Sequence, residues 1–304
     1  MIQEQLITIL TERGIIDRAS TPEDFTVLLH GGEGTRAVAL LVDRATQRVT
    51  AAAKLLRDAR SRDRMLREHY GLTTLHGKLP PHLRITLPRS LYLGPLDGVW
   101  AHVISGCEGH SLSESLRTDP RPERLVETLS LSLTWLADFQ RETRCDPERR
   151  LLPSLRETLR ESQWAASLSA LEQEAFSRLQ ERIAPGSALD SWINTSHGAL
   201  DPANLLWGKD QLAVINWEHF REEDFGYLDF ARLFIGFLEI WGATTPLHLP
   251  PQLVKPAQTF LEEVGVGQAT LPDILTLYWG QSGVRAGSER GLTPFRKILM
   301  HYFF

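Results

Sequence analysis

The pattern of hydrophobic and polar positions changes after an opening segment with amphipathic helical spacing. Residues 25–57 contain three apolar runs, separated first by the glycines of HGGEG and then by the polar turn DRATQ. Short apolar runs bounded by turn residues are typical of a β-meander. We therefore predict three antiparallel strands, near residues 25–30, 36–43 and 48–56.

Helical spacing returns directly after the meander. Residues 57–70 predict a helix, and its candidate buried side consists of Leu55, Leu56, Met65, Leu66 and Tyr70. Two more strands are predicted near residues 83–93 and 98–104, in the runs LRITLPRSLYL and GVWAHVI.

The remainder of the chain is predominantly helical in its pattern. Helices are predicted at 125–139, within 151–183, and beyond residue 228, with strand-like runs near 191–194, 205–207 and 212–217. The predicted fold class is α+β, with a small sheet-rich N-lobe at residues 1–105 and a larger helical C-lobe at 106–304. The segment SGCEG, at residues 105–109, breaks the pattern and is the predicted hinge.

Composition narrows the possible partners. The 304 residues carry a formal net charge of −5 and a sequence pI near 6.1, which gives no global attraction to nucleic acid or to an anionic membrane. The most apolar window, residues 230–241, is short and contains Arg232 and Glu239, as a core helix does. Two distant cysteines and an N-terminus unlike a signal peptide predict a cytoplasmic protein.

Three features with chemical potential follow one another in a fixed order. The first is Lys54 on the third predicted strand, with Glu68 on the next helix. The second is HGALDPANLL at residues 197–206, and the third is AVINWEHF followed by GYLDFARL at residues 213–233. In this order they resemble the aminoglycoside phosphotransferase and choline kinase branch of the protein-kinase-like superfamily, over roughly residues 25 to 240.

The resemblance implies a nucleotide between an N-lobe sheet with one helix and a helical C-lobe. It implies that Lys54 holds the α- and β-phosphates of ATP and that Glu68 is its ion-pair partner. It also implies structural roles within the catalytic loop for His197 and Asp229. Gly32 and Gly34 either cover the phosphates or merely supply a hairpin turn with positive φ.

Two positions depart from the family pattern. The catalytic aspartate of the family falls on Ala199, and the aspartate that holds magnesium falls on Asn216. Alanine cannot act as a general base, a loss worth roughly 10²- to 10⁴-fold in rate. Asparagine supplies no negative charge, whereas Mg²⁺ usually relies on one or two carboxylates. Asn204, Asn216 and Glu218 remain as candidate ligands of a weakened Mg²⁺ site.

Asp201 is the candidate that could replace the missing base. It lies two residues after Ala199, about 7 Å along an extended chain, so this role requires a reshaped loop or another substrate pose. The alternative is that Asp201 caps the turn before Pro202, as Asp-Pro sequences favour.

These residues lead to three functional hypotheses. The first is a pseudokinase that binds ATP but has impaired phosphoryl transfer, and that binds, scaffolds or regulates a protein partner. The second is an active ATP-dependent small-molecule kinase that uses Asp201 as base and holds metal through Glu218 and Asn204. The third is a pocket repurposed either to bind a non-nucleotide ligand or to carry out another transfer on a nucleotide. The sequence leaves both the partner and any small-molecule ligand unidentified.

Overall fold

The computed structural model describes residues 2–31, 36–56, 62–146, 187–208, 211–242 and 249–286, with a few isolated positions between 157 and 177. The chain divides into two compact units. The first comprises Met1–Ser111 and Ala203–Phe220, and the second comprises Leu112–Pro202 and Arg221–Phe304. The predicted lobe boundary between residues 105 and 106 stays a prediction.

The first unit is built on a five-stranded antiparallel sheet in the order β1-β2-β3-β5-β4. Its strands are β1 (Phe25–Gly31), β2 (Arg36–Asp43), β3 (Val49–Leu56), β4 (Ser90–Leu96) and β5 (Val99–Ser105). The predicted meander is confirmed to within one residue at each described strand end. Side chains alternate between the two faces of the sheet along β3. Ala51 and Ala53 are buried on one face, and Lys54 lies on the other.

One face of this sheet is covered by the opening helix, α1 (Ile2–Glu12). Leu6 and Leu10 on the helix are fully buried in one cluster with Ala39 and Leu41 on β2 and Val103 on β5. This packing forms the hydrophobic core of the sheet and leaves its opposite face for other side chains.

Two helices separate β3 from β4. Helix α2 (Arg62–Lys78) extends eight residues beyond the predicted end at residue 70, and a short helix, α3 (Pro81–Arg84), follows it. Leu66 and Tyr70 are exposed, so their predicted burial was wrong, whereas Met65 is fully buried. The predicted strand at 83–93 was also wrong in its first half, because Pro80 and Pro81 start α3 and β4 begins only at Ser90.

The rest of the first unit is a small sheet made from distant parts of the sequence. Strand β6 (His110–Ser111) pairs with β8 (Leu205–Trp207), which pairs with β9 (Leu212–Val214). A short 3₁₀ turn at Trp217–His219 follows β9 and packs against α2. This hairpin and turn bring Asn204, Asn216 and Glu218 into the same unit as Lys54.

The second unit is mainly helical. It contains α4 (Leu112–Thr118), α5 (Pro122–Glu142), α6 (Tyr227–Ile240), α7 (Pro251–Glu263) and α8 (Leu271–Ala286). Phe230 on α6 stacks on Phe260 of α7 with ring centroids 4.8 Å apart. A two-stranded antiparallel pair, β7 (Ile193–Ser196) with β10 (Arg221–Phe225), completes the described part of this unit.

Several predicted elements of this unit can be compared with the structure. The helix predicted at 125–139 is present as α5 and is longer at both ends, and helices occupy most of the described chain beyond residue 228. Strand β10 was not predicted. The helices predicted within 151–183 lie almost entirely outside the described residues. Among the described helices, none has the length and apolar character needed to cross a membrane.

Candidate functional site

Lys54 lies on the sheet face opposite α1. It is registered across the sheet with Val38 on β2 and His102 on β5, so these three side chains share that face. Lys54 is 6% exposed, which is rare for a lysine and requires that its charge be compensated nearby.

Three acceptors surround the ammonium group of Lys54. Its Nζ lies 2.8 Å from Oε1 of Glu68, 2.9 Å from Oδ1 of Asn216 and 3.1 Å from Oε1 of Glu218. A lysine ammonium has three donors and no acceptor. Each donor therefore has a partner, and the site combines one buried cation with two carboxylates and one amide. We call these four residues the Lys54 cluster.

Glu68 connects this cluster to the sheet and to the turn after β9. Its Oε2 contacts Nδ1 of His102 at 3.3 Å, and its Oε1 also accepts the backbone N–H of Trp217 at 3.1 Å. Burial by itself would raise the pKa of the Glu68 carboxyl. The charge of Lys54 and the hydrogen bonds from His102 and Lys54 outweigh burial and hold that pKa at about 2. Glu68 is therefore ionised at neutral pH.

The tautomer of His102 follows from these contacts. An ionised carboxylate only accepts, so Nδ1 of His102 donates to Glu68. The other ring nitrogen, Nε2, lies 2.9 Å from Oγ of Ser90, which is also 2.7 Å from Nδ1 of His69. A chain of polar groups thus runs from Lys54 through Glu68 and His102 to Ser90 on β4.

The amide of Asn216 has its orientation fixed by its neighbours. The atom beside Lys54 must be the oxygen, because an ammonium cannot accept a hydrogen bond. The amide nitrogen therefore points away and donates to Oδ1 of Asn204 at 2.6 Å. Asn216 has a left-handed backbone, with φ 66° and ψ 53°, a conformation that asparagine tolerates better than most residues.

This arrangement does not fit a magnesium ion well. Of the predicted ligands Asn204, Asn216 and Glu218, only Glu218 is a carboxylate, and Mg²⁺ favours carboxylate oxygens in octahedral geometry. Oδ1 of Asn204 accepts from Asn216, while Oδ1 of Asn216 and Oε1 of Glu218 accept from Lys54. Two of these three oxygens therefore contact an ammonium, and the third contacts an amide nitrogen. Within the described ranges, no three His, Cys, Asp or Glu side chains are grouped as metal ligands would be.

In the second unit, Asp229 at the start of α6 binds the loop that follows β7. Its Oδ2 accepts the backbone N–H of His197 at 2.7 Å and the hydroxyl of Ser196 at 3.0 Å, and its Oδ1 accepts the N–H of Gly198 at 2.9 Å. Burial raises the pKa of Asp229 to about 6, although these hydrogen bonds oppose the rise. These contacts are those of a residue that fixes a loop conformation.

The loop itself is packed rather than open. His197 is buried, and its Nδ1 accepts the backbone N–H of Ala199 at 3.2 Å. Ala199 is 5% exposed and Leu200 is fully buried. Position 199, where the family pattern has its catalytic aspartate, thus carries a methyl group among buried neighbours.

Asp201 lies at the end of this loop, directly before the 3₁₀ turn Pro202–Asn204. Its Oδ2 is 3.4 Å from Nη2 of Arg232 on α6, and both side chains are partly exposed. The Asp201 carboxylate is therefore oriented towards the guanidinium of Arg232. The two roles proposed for Asp201, replacement base and turn cap, both stay predictions.

An apolar surface adjoins the Lys54 cluster on the same sheet face. Leu28, Leu40, Ala52 and Ile104 form one cross-strand row, next to the row that contains Val38 and Lys54. Leu28 is 52% exposed, and Leu40 and Ala52 are half-buried. The first unit therefore presents a flat apolar strip beside a buried cation.

Sequence reasoning identified some of these residues and missed others. It identified Lys54, Glu68, Asn216 and Glu218, which the structure brings together. It missed His102, whose only signal was a lone histidine in an apolar strand pattern. Gly32 and Gly34 lie outside the described residues.

Comparisons with known proteins rest on structure. No family sequence model and no curated protein sequence matches the chain. The aminoglycoside phosphotransferase APH(3'')-Id from Streptomyces rimosus, solved with ADP and streptomycin, is 16% identical with a TM-score of 0.53, over 93% of this chain and 98% of that one. The GDP complex of aminoglycoside 2'-phosphotransferase-IIIa is 14% identical with a TM-score of 0.57, over 98% and 96%.

A choline kinase from Cryptosporidium parvum gives the same result, with a TM-score of 0.53 at 11% identity over 98% of this chain and 92% of that one. The chain has the protein-kinase-like fold of these proteins. The predicted α+β architecture, a two-lobe fold with an antiparallel-sheet N-terminal part and a helical C-terminal part, is therefore confirmed. At these identities the comparisons concern the fold, and the chemistry has to be argued from the residues of this chain.

Proposed function

We propose that this protein is a degenerate phosphotransferase, a pseudokinase that binds a nucleotide through Lys54, lacks ordinary phosphoryl transfer, and serves to bind or regulate a partner. The observation that carries the proposal is the closed polar network around Asn216. At the position where the family pattern places a metal-holding aspartate, an amide accepts from Lys54 and donates to Asn204.

The reasoning depends on charge. Phosphoryl transfer needs a divalent cation that neutralises the developing charge on the phosphate oxygens. An aspartate at position 216 would supply one more negative charge for such a cation. With asparagine there, Glu218 is the one predicted ligand with a charge, and its Oε1 already contacts Lys54. The network therefore favours an ammonium over Mg²⁺.

Ala199 supports the same conclusion independently. A methyl group can neither accept the proton of an acceptor hydroxyl nor orient that hydroxyl. Loss of a positioned base costs roughly 10²- to 10⁴-fold in rate, and the weakened metal site would lower the rate further. Both substitutions remove a carboxylate that the family pattern requires, and together they favour binding over catalysis.

Nucleotide binding has its own support. In this proposal a phosphate oxygen replaces Asn216 as an acceptor of the Lys54 ammonium, and the strip of Leu28, Leu40 and Ala52 offers a flat apolar surface for a base. Two of the similar proteins were solved with ADP or GDP. ATP is therefore the nucleotide to test first.

Isothermal titration calorimetry with ATP, in the presence and absence of Mg²⁺, tests the binding part. We expect ATP to bind in both conditions, with Kd values within about threefold of each other. Lys54→Met should weaken ATP by at least tenfold, whereas Lys78→Met, at the exposed end of α2, should leave Kd unchanged. Each tenfold change corresponds to about 1.4 kcal/mol. A Kd that improves tenfold or more with Mg²⁺ would contradict the weakened metal site.

A phosphoryl-transfer assay with aminoglycosides and choline as acceptors tests the catalytic part. We expect the wild type to show no turnover above buffer background. We also expect the Ala199→Asp, Asn216→Asp double variant to gain Mg²⁺-dependent ATP binding, measured by the same calorimetry as above. Robust turnover by the wild type would refute the pseudokinase proposal. In that case Asp201→Asn, compared with Asp63→Asn on α2, would show whether Asp201 is the base of a rearranged site.

A further inference from the structure

The first unit also contains a cavity, and its wall includes Ser90, the end of the polar chain that starts at Lys54. It has a volume of about 1000 Å³, at the upper end of the range of roughly 300 to 1000 Å³ typical of small-molecule sites. Its walls come from the C-terminal half of α2, from α3, from the start of β4, from residues 105–108 after β5, and from the β8–β9 hairpin. We call it the α2–α3 groove. None of the described residues that line it belongs to the Lys54 cluster.

Two arginines give this groove a positive charge. Arg84, at the end of α3, is half-buried, and Arg89, just before β4, is exposed. Across the described part of the chain, neither guanidinium lies within 4 Å of a carboxylate. Glu108, the acidic residue among the lining groups, is 3.0 Å from Arg48, which offsets its charge.

The remaining titratable groups of the groove add no negative charge. Burial raises the pKa of the Cys107 thiol to about 11, so the thiol is protonated at neutral pH. Burial, followed by the charges of Arg89 and Arg84, lowers the pKa of His76. His76, Arg84 and Arg89 all line the same groove.

Part of the remaining wall is apolar, although Thr73, Ser90, Ser105 and Gln211 also line it. Leu72 and Leu87 are buried beneath the groove, Ala213 comes from β9, and Ile85 stands at its edge with 66% of its surface exposed. An exposed isoleucine beside a cavity gains by contact with an apolar ligand. The groove therefore has an apolar floor and a cationic side.

We infer that the α2–α3 groove binds a small organic anion, an apolar body that carries a carboxylate or a phosphate group. The apolar body lies on Leu72, Leu87 and Ile85, and the oxyanion accepts hydrogen bonds from Arg84 and Arg89. Arginine suits this role because its planar guanidinium offers paired donors that match the oxygens of carboxylate and phosphate. This site is separate from the proposed nucleotide site, and it stands even if Lys54 binds no nucleotide.

The test is an NMR titration of the full-length protein with defined probes. Phenyl phosphate and phenylacetate present the two oxyanions on an apolar ring, inorganic phosphate presents the oxyanion alone, and benzyl alcohol presents the ring without the charge. We expect saturable shifts of the methyl resonances of Leu72, Leu87 and Ala213 with the first two probes. The tighter of these two identifies the preferred head group.

Variants then test whether the two arginine charges contribute to binding. We expect Arg84→Gln and Arg89→Gln each to weaken the better probe by at least fivefold, and Arg64→Gln, an exposed position on α2, to leave its affinity unchanged. Arg89 is exposed, so Arg89→Gln preserves the test if the half-buried Arg84 proves necessary for folding. Anion binding should also raise the pKa of His76, because a nearby negative charge favours the imidazolium.

Three results would overturn the assignment. One is the absence of saturable shifts with either ring-bearing anion. Another is equal affinity for benzyl alcohol or for inorganic phosphate, which would show that the charge or the apolar floor contributes nothing. The last is wild-type affinity in both arginine variants.

Discussion

Replacing Glu68 by glutamine removes the charge that compensates the buried Lys54 while keeping the size of the side chain. The magnitude follows from the pKa of Glu68, which is about 2 in the folded protein against 4.5 for a glutamate in water. At 1.36 kcal/mol for each pKa unit, this difference stabilises the folded state by about 3 kcal/mol at neutral pH. Removing one member of a buried ion pair costs about 3–5 kcal/mol in other proteins, so the two estimates agree.

The pH dependence gives the prediction its specificity. Because the folded-state pKa is depressed, the stabilisation is fully present above pH 4.5 and is lost as pH falls towards 2. Urea unfolding of wild type and Glu68→Gln, followed by circular dichroism, should therefore give a free-energy difference of about 3 kcal/mol at pH 7. That difference should fall to less than half by about pH 3.

Asp63→Asn is the matched control, since it makes the same acid-to-amide exchange at an exposed position on the same helix. It should cost less than about 1 kcal/mol, the size of a charge–dipole effect in the first turn of a helix. A difference below about 1 kcal/mol for Glu68→Gln at pH 7, or one that does not vary between pH 5 and pH 3, would refute the reasoning.

Two further predictions concern the loop before Ala199 and the packing of α2. Asp229→Asn leaves one acceptor oxygen for three donors and should lower the free energy of unfolding by about 1–3 kcal/mol near pH 4. Because burial raises the pKa of Asp229 from 3.8 to about 6, the stability of wild type relative to this variant should fall as pH rises through that interval. Unfolding curves at pH 4, 5 and 6 measure this change. Gly71→Ala places a methyl 2.5 Å from the ring of the buried Phe220 and should lower the free energy of unfolding by about 1–3 kcal/mol. Gly77→Ala on the same helix meets nothing within 4 Å and should raise it by about 0.5–1 kcal/mol; the reverse order of the two glycine variants would contradict the packing described.

Much of the first sheet was predictable because local turn residues mark the ends of its strands. The glycines of HGGEG and the turn DRATQ mark the ends of β1 to β3. Lys54 follows three alanines and, on β3, lies on the face away from α1. Lys54 and Glu68 could be paired because the family resemblance supplied their relation. Sequence spacing alone would have left them as an ordinary surface lysine and a solvated acid.

The elements that sequence reasoning missed depend on tertiary contacts. Strand β10 reads REEDF, an acidic run without apolar alternation, and it becomes a strand by pairing with β7. The run LRITLPRSLYL alternates like a strand, yet the two prolines before it begin α3. The network of Asn216 with Asn204 could not be foreseen either, because its geometry depends on how the β8–β9 hairpin returns to Lys54.

The left-handed backbone at Asn216 determines which side chains position 216 can carry at little cost. Asparagine and aspartate both tolerate that conformation, so exchanging one for the other carries little backbone cost. An acid at this position would need only that Asn204 turn its amide through half a revolution, so that nitrogen replaces oxygen opposite it. The main chain at position 216 therefore suits asparagine and aspartate alike, and a single substitution would introduce a carboxylate there without changing the backbone.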